Sequence, residues 1–173
     1  MSRLLCENGN ETLMNRYVPE EITSFIQTYD HFLIAGHEDP DGDCIGSSLA
    51  LYSFLQRLGK TSSLLSPGPF SRTEIQEYEH LFSASLPREL PRSTAAFVLD
   101  SSTPDRIGQL YNHIRPYEIA VIDHHSSGSP FGTYSFIDAT APSVTYLIQH
   151  IIETLDYTPT REEAQYLLFG LCT

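Results

Sequence analysis

Between Gly36 and Ser47 the chain sets His37 among Glu38, Asp39, Asp41 and Asp43. Farther on, Asp100 closes the apolar run Ala95–Leu99, and Asp123, His124 and His125 follow the apolar run Ile119–Ile122. Imidazole nitrogens and carboxylate oxygens are donors that divalent transition-metal ions accept. Two such ions, about 3.5–4 Å apart, activate water and offset the charge that builds on a phosphoryl group during attack. Metal-assisted hydrolysis of a phosphoester is therefore the chemistry open to this set, provided that distant stretches of chain deliver it to one place.

Strands are the elements that would do so. Phe32–Ala35, Ala95–Leu99 and Ile119–Ile122 are short apolar runs, the pattern of buried parallel strands, and each ends where the polar residues begin. In open α/β sheets ligands gather outside the carboxyl ends of the strands. After the first cluster, Ile45, Leu49, Tyr52 and Leu55 recur at helical spacing up to Gly59. Ser62–Leu65 is a further strand, and Ser71 with Glu74 forms a capping-box pattern for a short helix through Leu81. Arg106–His113 reads as another helix, Tyr134–Ile137 as an edge strand, and Pro19–Ile22 as a helix start. Ser143 and the Thr160/Glu163 pair are expected to cap two last helices, Val144–Leu155 and Ala164–Leu171. The fold class that follows is α/β, a mostly parallel sheet flanked by helices on both faces. Residues 1–18 are expected to form an N-terminal arm, and 19–173 one domain.

The formal charge of −12 argues against binding of duplex nucleic acid, which depends on a basic surface. It leaves room for an anionic substrate, because bound divalent cations reverse the field locally. No apolar stretch is long enough for a membrane span, no signal peptide is evident, and three cysteines suggest no disulfide framework. A cytoplasmic protein without membrane partners is the expectation.

The stretch His37-Glu38-Asp39-Pro40-Asp41-Gly42-Asp43-Cys44-Ile45-Gly46-Ser47 resembles the first motif of the DHH phosphoesterase superfamily. Asp100 with Arg106-Ile107-Gly108 resembles the second, and Asp123-His124-His125 the third. Within that superfamily the chain resembles the nanoRNase/pAp-phosphatase branch, which resembles the exonuclease domain of RecJ. This resemblance implies a two-ion site, with His37, Asp41 and Asp100 at one ion and Asp43, His124 and Asp100 at the other. Manganese suits such mixed donors, with magnesium, cobalt or zinc as alternatives. It implies Asp123 as an acceptor that orients a ligating histidine, His125 as the group facing the phosphate, and Arg106 as a phosphate or carboxylate partner. Short single-stranded RNA or a phosphorylated nucleotide such as 3′-phosphoadenosine 5′-phosphate is the implied substrate, and a homodimer the implied state of the full-length protein. Family members carry a fourth motif with an aspartate, followed by a second lobe; Leu168–Thr173 runs up to that aspartate. The chain is therefore expected to hold the catalytic domain without either, and to be weakened in turnover.

Singly, each residue has a structural explanation: strand-end aspartates cap helices, and Cys44 reads as a small buried thiol beside a helix start. The ordered occurrence of the three motifs favours metal. Family II pyrophosphatases and exopolyphosphatases share these motifs, and a nucleotide-binding module without turnover is the non-enzymatic alternative.

Overall fold

The computed structural model describes residues 18–128 and 131–173. The elements run α1 (Glu20–Thr28), β1 (His31–Ala35), α2 (Gly42–Arg57), β2 (Thr61–Leu65), β3 (Thr94–Leu99), α3 (Leu110–Ile114), β4 (Ile119–Asp123), β5 (Tyr134–Ile137), α4 (Val144–Thr154) and α5 (Arg161–Leu171). The five strands pair in parallel in the order β2-β1-β3-β4-β5. This order changes direction at β1, so β1 and β3 flank the switch point whose carboxyl edge opens a crevice.

Alternation along the strands divides the core. Phe32, Ile34, Phe97, Leu99, Ala120 and Ile122 face α1, α2 and α4, whereas Leu33, Ala35, Ala96, Val98 and Val121 face Ile107, Leu110 and Ile114 around α3. Helices thus cover both faces, but the first cover is much the thicker. Val18, the last residue of the expected arm, is buried in this core; the rest of that arm lies outside the described residues.

α2 is buried over Gly42–Leu51 because α5 covers the side that the sheet does not. Close approach depends on Gly46, where a Cβ would stand 2.7 Å from the Tyr166 carbonyl oxygen and 2.9 Å from the Gly170 nitrogen. At the other end of this contact Arg57 pairs with the fully buried Glu163 at 2.8 Å. Glu163 also closes a capping box with Thr160, and Ser143 accepts from the Tyr146 amide at the start of α4, both as expected.

Two local expectations fail. The Ser71/Glu74 cap is not made: the turn Gln76–Leu81 is a 3-10 helix preceded by Ile75, with no side-chain cap. The segment Arg106–His113 is not continuous; a 3-10 turn Pro104–Ile107 stops at Gly108, and α3 begins at Leu110. Gly108 has φ +62°, and the Glu38 side chain fills the space a Cβ would need, so the break is set by a residue far away in sequence.

Candidate metal centre

His37 follows β1 and is 2% exposed. Its Nδ1–H donates to the Glu38 carbonyl oxygen (2.7 Å), which turns Nε2 toward the crevice, 3.3 Å from Asp100 Oδ2 and 4.0 Å from Asp41 Oδ1. Asp41 is the N-cap of α2 and accepts the Cys44 amide at 3.0 Å. Asp43, in the first turn of that helix, accepts backbone amides of α4: Val144 N–H at Oδ2 (2.6 Å) and Thr145 N–H at Oδ1 (2.9 Å). The tight turn between Asp41 and Asp43 therefore aims one carboxylate at the β1 side and the other at α4.

Asp100 directly follows β3 with φ +59°, a left-handed conformation that aspartate tolerates better than most residues, and it is 1% exposed. Its Oδ2 faces His37. Its Oδ1 lies 3.7 Å from His124 Nε2 and 3.5 Å from His125 Nδ1, yet it has no hydrogen-bond partner among the described residues. His124 donates from Nδ1 to the Ala141 carbonyl oxygen (3.3 Å), leaving Nε2 3.8 Å from Asp43 Oδ2. Asp123 is fully buried, and its Oδ1 accepts the amides of His124 (2.7 Å) and His125 (3.2 Å) and the His125 ring Nδ1–H (2.8 Å).

The five sequence-predicted ligands thus meet around Asp100 in two sets. Asp123 orients His125, whereas backbone carbonyls orient His37 and His124, a division the motif itself does not reveal. The Cys44 thiol, read as structural, is buried and lies with His37 and Asp100 in a group whose donor atoms are within 4.8 Å of one another; Asp100, His124 and His125 form a second such group.

Electrostatics fit a cation. Burial, and then the charge of Asp100, push Asp43 up to about 6, and Asp100 is itself raised, mainly by burial. Burial opposes a charged His37, but the hydrogen bond to Asp100, the Glu38 carbonyl and the Asp100 charge outweigh it and raise its pKa. Positive charge is therefore favoured among these crowded carboxylates, and Asp100 Oδ1 is buried without a hydrogen-bond partner among the described residues. Divalent ions held by His37, Asp41, Asp43, Asp100 and His124 would supply that charge and a Lewis acid for phosphoryl oxygens.

Beside the cluster is a small cleft of about 140 Å³ lined by Ser102, Thr103, Arg106, Asp123, His125, Ser127 and Gly128. It brings Arg106 and His125 together. Ser127 and Gly128, from the glycine- and serine-rich stretch after His125, complete its lining. A larger groove, about 620 Å³, runs along β2 and holds none of the cluster residues, so size alone does not mark the site.

An open parallel sheet whose switch point gathers histidines and carboxylates around Asp100 defines an α/β protein with a candidate metal centre. Residues 31–171 match the DHH family, N-terminal domain, and the chain belongs to that family. It is 34% identical over 143 residues to the bifunctional oligoribonuclease and PAP phosphatase NrnA of Thermus thermophilus, a match that covers 81% of this chain and 42% of that protein. The chain thus spans less than half the length of this relative. Among solved structures, an exopolyphosphatase-related protein from Bacteroides fragilis aligns with TM-score 0.76 at 22% identity, covering 88% of this chain and 48% of that one. RecJ from Thermus thermophilus in complex with Mn²⁺ aligns with TM-score 0.52 at 18% identity, over 87% and 23% of the two chains. These two likenesses concern the fold. No helix among the described residues is long and apolar enough to cross a membrane.

Proposed function

We propose that this domain is the catalytic part of a manganese-dependent phosphoesterase that hydrolyses short oligoribonucleotides, 3′-phosphoadenosine 5′-phosphate, or both. The observation that carries the proposal is Asp100, whose Oδ2 faces His37 while Oδ1, 3.7 Å from His124 Nε2, stays buried without a hydrogen-bond partner among the described residues. The name of the Thermus relative supports the substrates, and the Mn²⁺ in the RecJ structure supports the metal.

In this reading Asp100 would be the shared ligand, with His37 and Asp41 to hold one ion and Asp43 and His124 to hold the other. His125, its Nδ1 proton held by Asp123, presents the opposite ring nitrogen as the proton donor to the leaving oxygen or as a partner for phosphoryl charge. Arg106, in the same cleft, holds a phosphate oxygen through its planar fork. Asp123 touches no substrate and acts by holding His125 in one tautomer.

The test is hydrolysis of a dinucleotide and of adenosine 3′,5′-bisphosphate by the full-length protein, with Mn²⁺ and with chelator. Release of mononucleotide or phosphate that depends on Mn²⁺ is expected. Turnover of pyrophosphate or polyphosphate in place of the nucleotides would move the substrate to the inorganic class, and absence of any metal-dependent hydrolysis would defeat the enzymatic reading.

A further inference from the structure

Cations are scarce in this chain, ten Lys and Arg against twenty-two Asp and Glu, yet two arginines stand at the carboxylate cluster. Arg106 lines the cleft beside His125. Arg72 belongs to the segment that follows β2, and its Nη1 lies 4.0 Å from Asp41 Oδ2. Arg72 thus stands on the Asp41 side of the cluster, whereas Arg106, whose carbonyl oxygen accepts the Glu38 amide at 2.7 Å, borders the cleft that holds His125.

The placement of Arg72 is built. The Asp39 amide donates to the Gly68 carbonyl oxygen (3.0 Å), tying the segment after β2 to the loop that carries Asp41. The Gly68 amide donates to Ser66 Oγ at 3.1 Å. Phe70 is buried with its ring centroid 5.5 Å from that of Phe82. Ile75 is fully buried, and its amide donates to the Arg72 carbonyl oxygen at 3.2 Å. Arg72 is therefore held between two buried anchors while its side chain stays 45% exposed.

An exposed ion pair at 4.0 Å contributes little to stability, so the contact with Asp41 is a weak reason for such anchoring. A guanidinium held at the border of a phosphate site has another use. Its fork matches a phosphate group, and it supplies local attraction for anions on a chain whose overall charge repels them.

We propose that Arg72 binds a second phosphate of the substrate, one beyond the phosphate that is cleaved, and so selects nucleotides carrying phosphate on both sides over simple phosphomonoesters. The inference rests on the phosphoesterase reading above and adds a specificity determinant to it. Arg72 lies beside Asp41, whereas His125 and Arg106 attend a separate cleft that Arg72 does not line. The substrate spans the cluster between them.

The test compares adenosine 3′,5′-bisphosphate with 3′-AMP, which presents the same 3′-phosphate without the 5′ one, on the full-length protein with Mn²⁺. Arg72→Ala should raise KM for the bisphosphate about tenfold, the loss of one charge-assisted contact. It should leave kcat, kcat/KM for 3′-AMP, and Mn²⁺ binding by equilibrium dialysis within about twofold. Arg72→Lys should recover part of the KM, and Arg72→Gln, which keeps the length of the side chain, should behave like Arg72→Ala. Equal losses on both substrates, or an unchanged KM for the bisphosphate, would overturn the assignment while leaving the phosphoesterase reading intact. No Mn²⁺-dependent turnover of either compound by the unsubstituted protein would remove that reading, and this inference with it.

Discussion

Asp100 Oδ2 stands 3.3 Å from His37 Nε2, so a carboxylate at the tip of β3 meets an imidazole at the tip of the neighbouring β1, both almost wholly buried. The other oxygen of Asp100 is left for the histidines that follow β4. A single side chain therefore joins the two halves of the site.

From this position we predict unequal effects on metal binding. Asp123→Ala removes the acceptor of the His124 and His125 backbone amides, so the main chain that carries His124 loosens and Mn²⁺ binding should weaken about tenfold. Asp100→Ala should cost more, because it removes a donor from both sets at once. Isothermal titration calorimetry of the two variants decides the order, and equal or reversed losses would show that Asp100 is not the shared ligand.

The pH dependence has a definite sign. Asp43 is held at about 6 in the fold against an ordinary value of 3.8, so its contribution to stability is full below about pH 4 and is lost as pH rises through about 6. His37, raised above 6.5, likewise stabilises at low pH and loses that contribution as pH climbs through its folded value. The metal-free protein should therefore melt at a lower temperature at pH 7.5 than at pH 5.5, and Asp43→Asn should flatten the difference. Mn²⁺ must displace these protons, so the rise in Tm that it causes should grow over the same interval. Thermal melts with chelator and with Mn²⁺ check both trends, and a Mn²⁺ effect largest at pH 5.5 would contradict them.

His125 should separate catalysis from metal retention. Its Nδ1–H is engaged by Asp123, and the ring lines the Arg106 cleft. His125→Ala should lower kcat about 10²-fold or more, the scale of a lost proton donor, with Mn²⁺ affinity within about threefold. A variant that loses its metal and its activity together would assign His125 to the ions instead.

Much of this arrangement was legible in the chain because β3 and β4, buried on both faces, read as unbroken apolar runs whose ends are marked by Asp100 and Asp123. The caps at Ser143 and Thr160 were legible too, since a cap is a local hydrogen bond between residues three apart. What escaped depends on contacts distant in sequence. The break at Gly108 is set by Glu38, the amides that hold Asp43 come from α4, and Arg72 reaches Asp41 only because Phe70 and Ile75 are buried on either side of it. The Ser71/Glu74 pattern, a local signal, failed because the helical turn begins later, after the buried Ile75.

Stability should prove sensitive far from the metal centre. Glu163 is fully buried with one oxygen lacking a partner among the described residues, and Arg57 supplies its counter-charge at 2.8 Å. Arg57→Ala strands that carboxylate against α2 and should cost about 3 kcal/mol, the lower end for a broken buried pair because Arg57 is 29% exposed. Urea denaturation of the metal-free protein measures it, and a loss below about 1 kcal/mol, the scale of an exposed pair, would contradict the account.

Anomalous scattering at the manganese absorption edge, from crystals grown with Mn²⁺, addresses the metal centre itself. Two peaks are expected about 3.5–4 Å apart astride Asp100, one near His37 and Asp41 and the other near Asp43 and His124. Peaks remote from these five side chains, or none at saturating Mn²⁺, would show that this crevice is not a metal centre.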